Sequence, residues 1–405
     1  MYSQQFIRSV IEHQTEGIKQ KPLGLKRGVL SDVAVVDGFA TIIMGIRRCG
    51  KSTLLLQKMA SMEGAVSYLN FEDPRLAGFE TDDLSRLTGA IAAIGNKIVC
   101  LDEIQLVKGW EILVHQLLRD GYFVFITGSN ASLLSQELGT HLTGRHLSME
   151  LFPFSYPEYL AYRKQVAGVA SFADYMQKGG MPDYLRTQMD VYLNALLDDI
   201  LMRDIAIRHG VKDIRSLRQL AVYLLSNVGN LVSANRLEGM FGIKSNSTIL
   251  AYFSYLTDAY LLDFVPMFDY SLKKQQRNPR KIYALDLGIQ RQNSASFTPD
   301  LGHLLENAVY VCLRHQYKDI FYYQNDGECD FVVTRKDVPV AAYQVCYKLT
   351  NENLDREMKG LLSAMQSLGL KSGAIITESE ADQFHKDGMT VDVIPAYRFA
   401  TENEN

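Results

Sequence analysis

ATIIMGIRRCGKSTLLLQKMA, residues 40–60, changes period in a way that decides the fold of the first third of the chain. ATIIM is a short apolar run of strand character, and LLLQKMA has helical spacing. Between them lies GIRRCGKST, Gly45–Thr53, which matches G-x-x-x-x-G-K-[ST] in the strand–loop–helix setting that gives the motif its meaning. A tight turn of backbone N–H groups running into a helix N-terminus surrounds an anion with donors and positive potential. The pattern predicts a polyphosphate cradle made of Gly45, Arg47, Arg48, Cys49, Gly50, Lys51, Ser52 and Thr53. In it Lys51 reaches the β- and γ-phosphates, and Ser52 places its hydroxyl on Mg²⁺. The bland alternative is a chance glycine turn, which the flanking strand and helix disfavour.

Downstream, KIVCLDEIQ (residues 97–105) is an apolar strand that ends in two adjacent carboxylates. Strand periodicity points Asp102 and Glu103 differently. Asp102 is expected to hold Mg²⁺ through its water shell, and Glu103 to orient the hydrolytic water of an ATP-cleaving site. Buried acids at a strand end are costly without a cation, which weighs against a purely structural pair. A further strand ends in TGSN, so Ser129 and Asn130 either sense the γ-phosphate or cap the helix that ASLLSQEL suggests. Arg145, in LTGRHLSMEL, is either a finger that neutralises transition-state charge, in its own site or in a neighbouring subunit's, or a surface arginine.

Short apolar runs and helical segments alternate from about Ala34 to Phe154. FATIIMG, AVSYLNF, KIVCLD, YFVFITGS and HLSMEL are the candidate strands of a parallel α/β sheet, within a first domain expected over 1–160. At 405 residues the chain needs more than one core, and 47% hydrophobic with 22% charged residues is ordinary globular composition. A formal charge of −4 excludes a uniformly basic surface, so any nucleic-acid contact has to be a local patch. The five cysteines are dispersed without a C-x-x-C pair, which disfavours zinc and disulfide frameworks and fits a reducing cytoplasm. The charged N-terminal segment does not read as a signal peptide, and no apolar run approaches membrane-spanning length.

Pro153 and Pro157 punctuate the exit from the first domain, and a helical connector or lid is expected over 161–213. Over 214–295 the signals are helix, tight turn, helix and hairpin. Ser233 and Ser247 are the candidate caps, Gly242 the stop, and DFVPMFDY and KIYALDL the strands of a wing. SNSTILAYFSYLTDAYLL has no lysine or arginine for reading bases. The hairpin tip does carry charge: Lys273, Lys274, Arg277, Arg280 and Lys281 suit contacts to DNA phosphates. A solvated wing beside a tyrosine-rich packing helix is the alternative. The remainder, 296–405, reads as helix, three strands, helix, two strands, with Asn325-Asp326-Gly327 as a hairpin turn.

Taken in order, GIRRCGKST, YLNFED, LDEIQ, FITGSN, LTGRHLSMELFPFSYPEY and GGMPDYL resemble the prokaryotic AAA-type ATPases. KIYALDLG, LLENAVY, CDFVV and QVCY extend that resemblance over nearly the whole chain. The resemblance implies an AAA+ core, a winged helix and a restriction-endonuclease-like terminal domain, with ATP hydrolysis coupled to a conformational task. Nucleases of that terminal fold gather Mg²⁺ with carboxylates and place a lysine beside them. Here Glu306 and Asp330 fit, Gln344 and Cys346 replace the glutamate-x-lysine element, and Lys348 lies on the strand face from which an amine could return to the site. Three functional readings follow. One is an ATPase acting through a nucleic-acid-associated module. Another is a nucleotide switch that binds a protein partner without cleavage; separately, Arg145 acting in a neighbouring subunit's site would make the active form a homo-oligomer. The third, a small-molecule kinase, leaves Glu103 and half the chain unused.

Overall fold

The computed structural model describes residues 1–131, 144–296 and 300–402. The chain divides into two compact units, Met1–Phe152 with Asp258–Tyr260, and Pro153–Thr257 with Leu261–Asn405. The helix expected over ASLLSQEL lies outside the described residues beyond Ala131.

The first unit is built on five parallel strands: β1 (Ala40–Met44), β2 (Val66–Asn70), β3 (Ile98–Asp102), β4 (Phe123–Gly128) and β5 (His146–Glu150). Their order in the sheet is β2-β3-β4-β1-β5. β1 and β3 are buried along their whole length because helices cover both faces, which is why they are apolar nearly throughout, Thr41 and the terminal Asp102 excepted, rather than alternating. The helix Gln4–Lys19, capped by Ser3 Oγ accepting from the Phe6 N–H, packs its Ile7, Val10, Ile11 and Ile18 face on β2 and the helix Leu84–Ile94. All strands run the same way, so the C-terminal ends of β1, β3 and β4 meet at one edge, where open α/β sheets bind ligands.

The second unit begins with the helices Tyr156–Arg163, Val169–Lys178, Pro182–Thr187 and Asp190–Asp199, followed by a π-helical run Ile200–Ile207. The sequence GGMPDYL spans the joint between two of these helices, and at its glycines the packing leaves no room for a side chain. A Cβ on Gly180 would lie 2.2 Å from the Phe154 carbonyl oxygen and 2.6 Å from its nitrogen. The helices Ile214–Ser226, Ala234–Leu237 and Asn246–Asp258 then alternate with a three-stranded antiparallel sheet of β6 (Leu231–Val232, after the first helix), β7 (Leu262–Val265) and β8 (Arg280–Ala284), ordered β6-β8-β7. Two local expectations are corrected. Ser233 precedes its short helix without a side-chain cap bond, and the segment joining β7 to β8 contains a helical turn, Leu272–Arg277.

The C-terminal part is a mixed six-stranded sheet of β9 (Asp319–Gln324), β10 (Glu328–Arg335), β11 (Val338–Val345), β12 (Ser372–Thr377), β13 (Asp382–Lys386) and β14 (Met389–Pro395), ordered β13-β14-β12-β11-β10-β9. The helix Leu354–Leu368 seals one face over Cys329, Val332, Met358, Leu361 and Met365. Three strands follow that helix, where the sequence reading has two. The additional strand, β13, is short and mostly exposed, and it pairs with β14 through the turn Asp387-Gly388. Asp-Gly is the strongest two-residue hairpin signal.

Candidate functional site

In the first unit the loop Gly45–Gly50 leaves β1 and enters the helix Lys51–Ala60. Gly45 has φ 155°, and a Cβ there would sit 2.0 Å from the Leu151 carbonyl oxygen, so only glycine lets the loop turn against β5's exit. Cys49 is buried and its thiol donates to that same carbonyl at 3.3 Å; burial raises its pKa, which makes it an inert packing group. Lys51 folds back into the loop, where its buried ammonium donates to the carbonyls of Gly45 (3.0 Å) and Ile46 (3.1 Å). Arg47 is half-buried and paired with Glu72 at 2.9 Å, Arg48 is exposed, and Ser52 and Thr53 are half-buried in the first helical turn.

Asp102 closes β3 with 0% exposure. Its charge is met by the Thr127 hydroxyl on one oxygen, and by the Tyr68 hydroxyl (2.5 Å) and Asn70 Nδ2 (3.1 Å) on the other. Both come from neighbouring strands: Asn70 is the β2 partner of Asp102, and Thr127 belongs to β4. Glu103 takes a left-handed backbone (φ 54°), and its N–H donates to Thr127 Oγ1 at 3.1 Å. That conformation turns its carboxylate away from Asp102 and toward Lys51 Nζ, 3.8 Å away. Burial raises the Glu103 pKa, with Lys51 opposing. Gln105, which the sequence reading passes over, donates through Nε2 to Glu103 Oε2 (2.5 Å) and Ser129 Oγ (3.2 Å), and its Oε1 is buried without a hydrogen-bond partner among the described residues. Ser129 and Asn130 are both buried; Arg145 is exposed, its carbonyl accepting from the Ala40 N–H. The donor set suits a magnesium nucleotide: a loop that already holds an ammonium, a hydroxyl at the helix start, and a buried carboxylate at the adjoining strand end.

In the second unit, Glu306 on the helix Leu301–Arg314, Asp330 on β10 and Gln344 on β11 line one cavity of about 810 Å³. Asn307 zips that helix to β8, its amide exchanging two hydrogen bonds with the Ala284 backbone, and so aims Glu306 at the same strand. A β-bulge sets Asp330: Cys329 pairs with Tyr323 and Val332 with Phe321, which leaves Asp330 and Phe331 opposite Tyr322 alone. Two sequence expectations change here. Lys348 is exposed beyond the end of β11 and is absent from the cavity lining. Lys281 is not at the hairpin tip but buried, its ammonium 2.7 Å from Asp330 Oδ1, 2.8 Å from Glu328 Oε1 and 3.1 Å from Glu306 Oε1. Burial alone would lower the Lys281 pKa; the carboxylates outweigh it and raise it. Burial, then the charge of Asp330, pushes Glu306 up to about 8. Lys273, Lys274 and Arg277 are exposed on the helical turn, with Lys274 3.3 Å from Asp269, and Arg280 is half-buried. Glu357 also lines the cavity, accepting from Gln344 Nε2 at 2.9 Å and from Arg356 at 2.5 Å. Its place on the apolar face of an amphipathic helix, beside Met358 and Leu361, was the signal for it.

Among the described residues no helix is long and apolar enough to cross a membrane. Residues 37–160 match the family model described as an AAA domain, 169–296 one described as a domain of unknown function (DUF8612), and 301–399 another (DUF4143). An uncharacterized protein of Methanocaldococcus jannaschii is 30% identical over 365 residues, which are 84% of this chain and 81% of that one. An uncharacterized protein of Haemophilus influenzae is 31% identical over 376 residues, 87% of this chain and 92% of that one. A solved Signal Transduction ATPase with Numerous Domains from Pyrococcus horikoshii aligns at 13% identity over 74% of this chain and 47% of its own, with a TM-score of 0.29, too low to carry weight. With two relatives aligned along most of their length, the chain belongs to the family of these uncharacterized M. jannaschii and H. influenzae proteins, and it carries an AAA domain over its parallel sheet.

Proposed function

We propose that the first unit binds Mg·ATP and hydrolyses it, and that the cycle switches the second unit, acting as a non-cleaving module, between states of different affinity for nucleic acid. The observation that carries the reading is the Lys51 ammonium held inside the glycine loop 3.8 Å from Glu103, with Asp102 buried beside it. The loop N–H groups and Lys51 bind the β- and γ-phosphates, and Ser52 and Asp102 hold the metal. Magnesium, when bound, supplies charge neutralisation on the phosphate oxygens. Glu103 accepts the proton of the attacking water, and its burial suits it to that task. Ser129 and Asn130 report the γ-phosphate, Ser129 being tied to Glu103 through Gln105. Arg145 is exposed at the start of β5, as a finger acting in a second copy would need, and specific activity should then rise with protein concentration.

The test is nucleotide binding and turnover in two variants. Lys51→Ala should lose binding, while Glu103→Gln should bind ATP and fall at least about 100-fold in turnover. Full hydrolysis by Lys51→Ala overturns the reading. The exposed Lys273, Lys274 and Arg277 support a phosphate-backbone contact, and equal turnover with and without DNA would remove it. A second reading, a switch that docks a protein partner, is favoured by the winged-helix-like segment's helix Asn246–Asp258, which carries no basic residue in its last turn.

A further inference from the structure

The carboxylates of the second unit's cavity sit where the family resemblance implies a divalent metal, and their surroundings do not fit one. Lys281 donates to Asp330 and Glu306, and its ammonium also lies 2.8 Å from Glu328 Oε1. Further donors take up acceptor positions on the same carboxylates. Asp330 Oδ2 takes the Val345 N–H at 2.9 Å, and Glu306 Oε1 takes the Tyr283 hydroxyl at 2.6 Å. Gln344 does not present a free oxygen: its Oε1 accepts the Asp330 N–H at 3.3 Å while its Nε2 faces Glu357. Magnesium needs oxygens at about 2.0–2.1 Å in octahedral array, a position that cannot be shared with an ammonium 2.7 Å from the same carboxylate. Among the described residues no cluster of three or more His, Cys, Asp or Glu side chains is arranged to hold a metal ion.

We infer that Lys281 is an internal cation that takes the metal's place, leaving the cavity metal-free and locking β8 to the helix Leu301–Arg314 and to β10. The lysine belongs to the three-stranded sheet, whereas Asp330 and Glu328 belong to the six-stranded one and Glu306 to a helix, so one side chain performs two tasks. It cancels charge that would otherwise call for a divalent ion, and it staples the three-stranded sheet onto the six-stranded one. The inference rests on the reading of this unit as non-cleaving and is independent of the ATPase site.

Mn²⁺ titration of nucleotide-free full-length protein, followed by electron paramagnetic resonance, tests it. Wild type and Asp330→Asn should give the same titration, with no Asp330-dependent equivalent. Lys281→Met should gain one Mn²⁺ per chain, and Lys281→Met/Asp330→Asn should lose it again. Asp330-dependent Mn²⁺ uptake by the wild type overturns the inference, and so does a folded Lys281→Met that gains none. If Lys281→Met does not fold, the wild-type and Asp330→Asn comparison decides. Plasmid cleavage in Mg²⁺ or Mn²⁺ separates the two readings. Uptake without cutting defeats the internal cation alone. Asp330-dependent cutting defeats the non-cleaving module as well, and its loss in Lys281→Met would make that lysine catalytic.

Discussion

Replacing Tyr68 by phenylalanine removes one oxygen atom and leaves a buried ring in place, so the result isolates what a single hydrogen bond does for Asp102. Burial, reinforced by Asp102, holds the Tyr68 hydroxyl far above its usual pKa, so it remains a donor throughout the working pH range. A hydrogen bond to a charged acceptor is worth about 1.5–3 kcal/mol. Asn70 Nδ2 still reaches the same oxygen after the substitution, so the lower part of that range, about 1.5–2 kcal/mol, is expected. The chain's one tryptophan, Trp110, is buried in the same unit, so its fluorescence during urea unfolding reads the stability of that unit. A double-mutant cycle of Tyr68→Phe with Asp102→Asn should give a coupling of about 1.5–2 kcal/mol. With its carboxylate less firmly oriented, the variant should also need about tenfold more Mg²⁺ for half-maximal turnover, equivalent to about 1.4 kcal/mol. A coupling under about 0.5 kcal/mol, the ordinary scatter of independent sites, would refute the claim that the hydroxyl positions Asp102.

Two further perturbations test the packing around GGMPDYL. Gly180→Ala drives a methyl into the Phe154 backbone and should lower stability by about 3 kcal/mol in thermal unfolding; a loss below about 1 kcal/mol would show that the helices yield easily. Asp286 is fully buried, and burial raises its pKa from 3.8 to about 6 against the opposing N–H donors of Ile289 and Gly180. The native state therefore binds this proton more tightly than the unfolded chain, and its contribution grows as pH falls through 6 and is complete below 3.8. Between pH 7 and pH 4 the wild type should gain about 2 kcal/mol relative to Asp286→Asn, measured by urea unfolding at each pH; parallel pH profiles would refute the shift.

The strands of the first unit were legible because a parallel sheet covered on both faces favours near-continuous apolar runs, and ATIIM and IVCLD are such runs apart from Thr41 and Asp102. The glycine loop and the acid pair were legible because each is a contiguous motif whose place at a strand end depends on local conformation. Gln105 was not, since its relevance comes from Glu103 adopting a left-handed backbone that brings the two side chains together. β13 was missed although its Asp-Gly turn was in plain view, because a short strand of exposed polar residues has no apolar pattern to announce it. Lys348 was expected in the terminal cavity on strand period, but β11 ends at Val345, so the two-residue alternation no longer governs where that side chain goes.

Local sequence thus settled that a glycine loop between a strand and a helix precedes an acid-tipped strand, because both motifs are contiguous in the chain. Tertiary structure alone decided the character of the second unit's cavity. Lys281, read from its neighbours, belongs to a basic run of KKQQRNPRK; folded, it is buried against carboxylates 25 and 49 residues away. Whether a lysine meets solvent, phosphate or a carboxylate depends on which elements the sheets bring together, and that long-range pairing of charge is written in no single stretch of sequence.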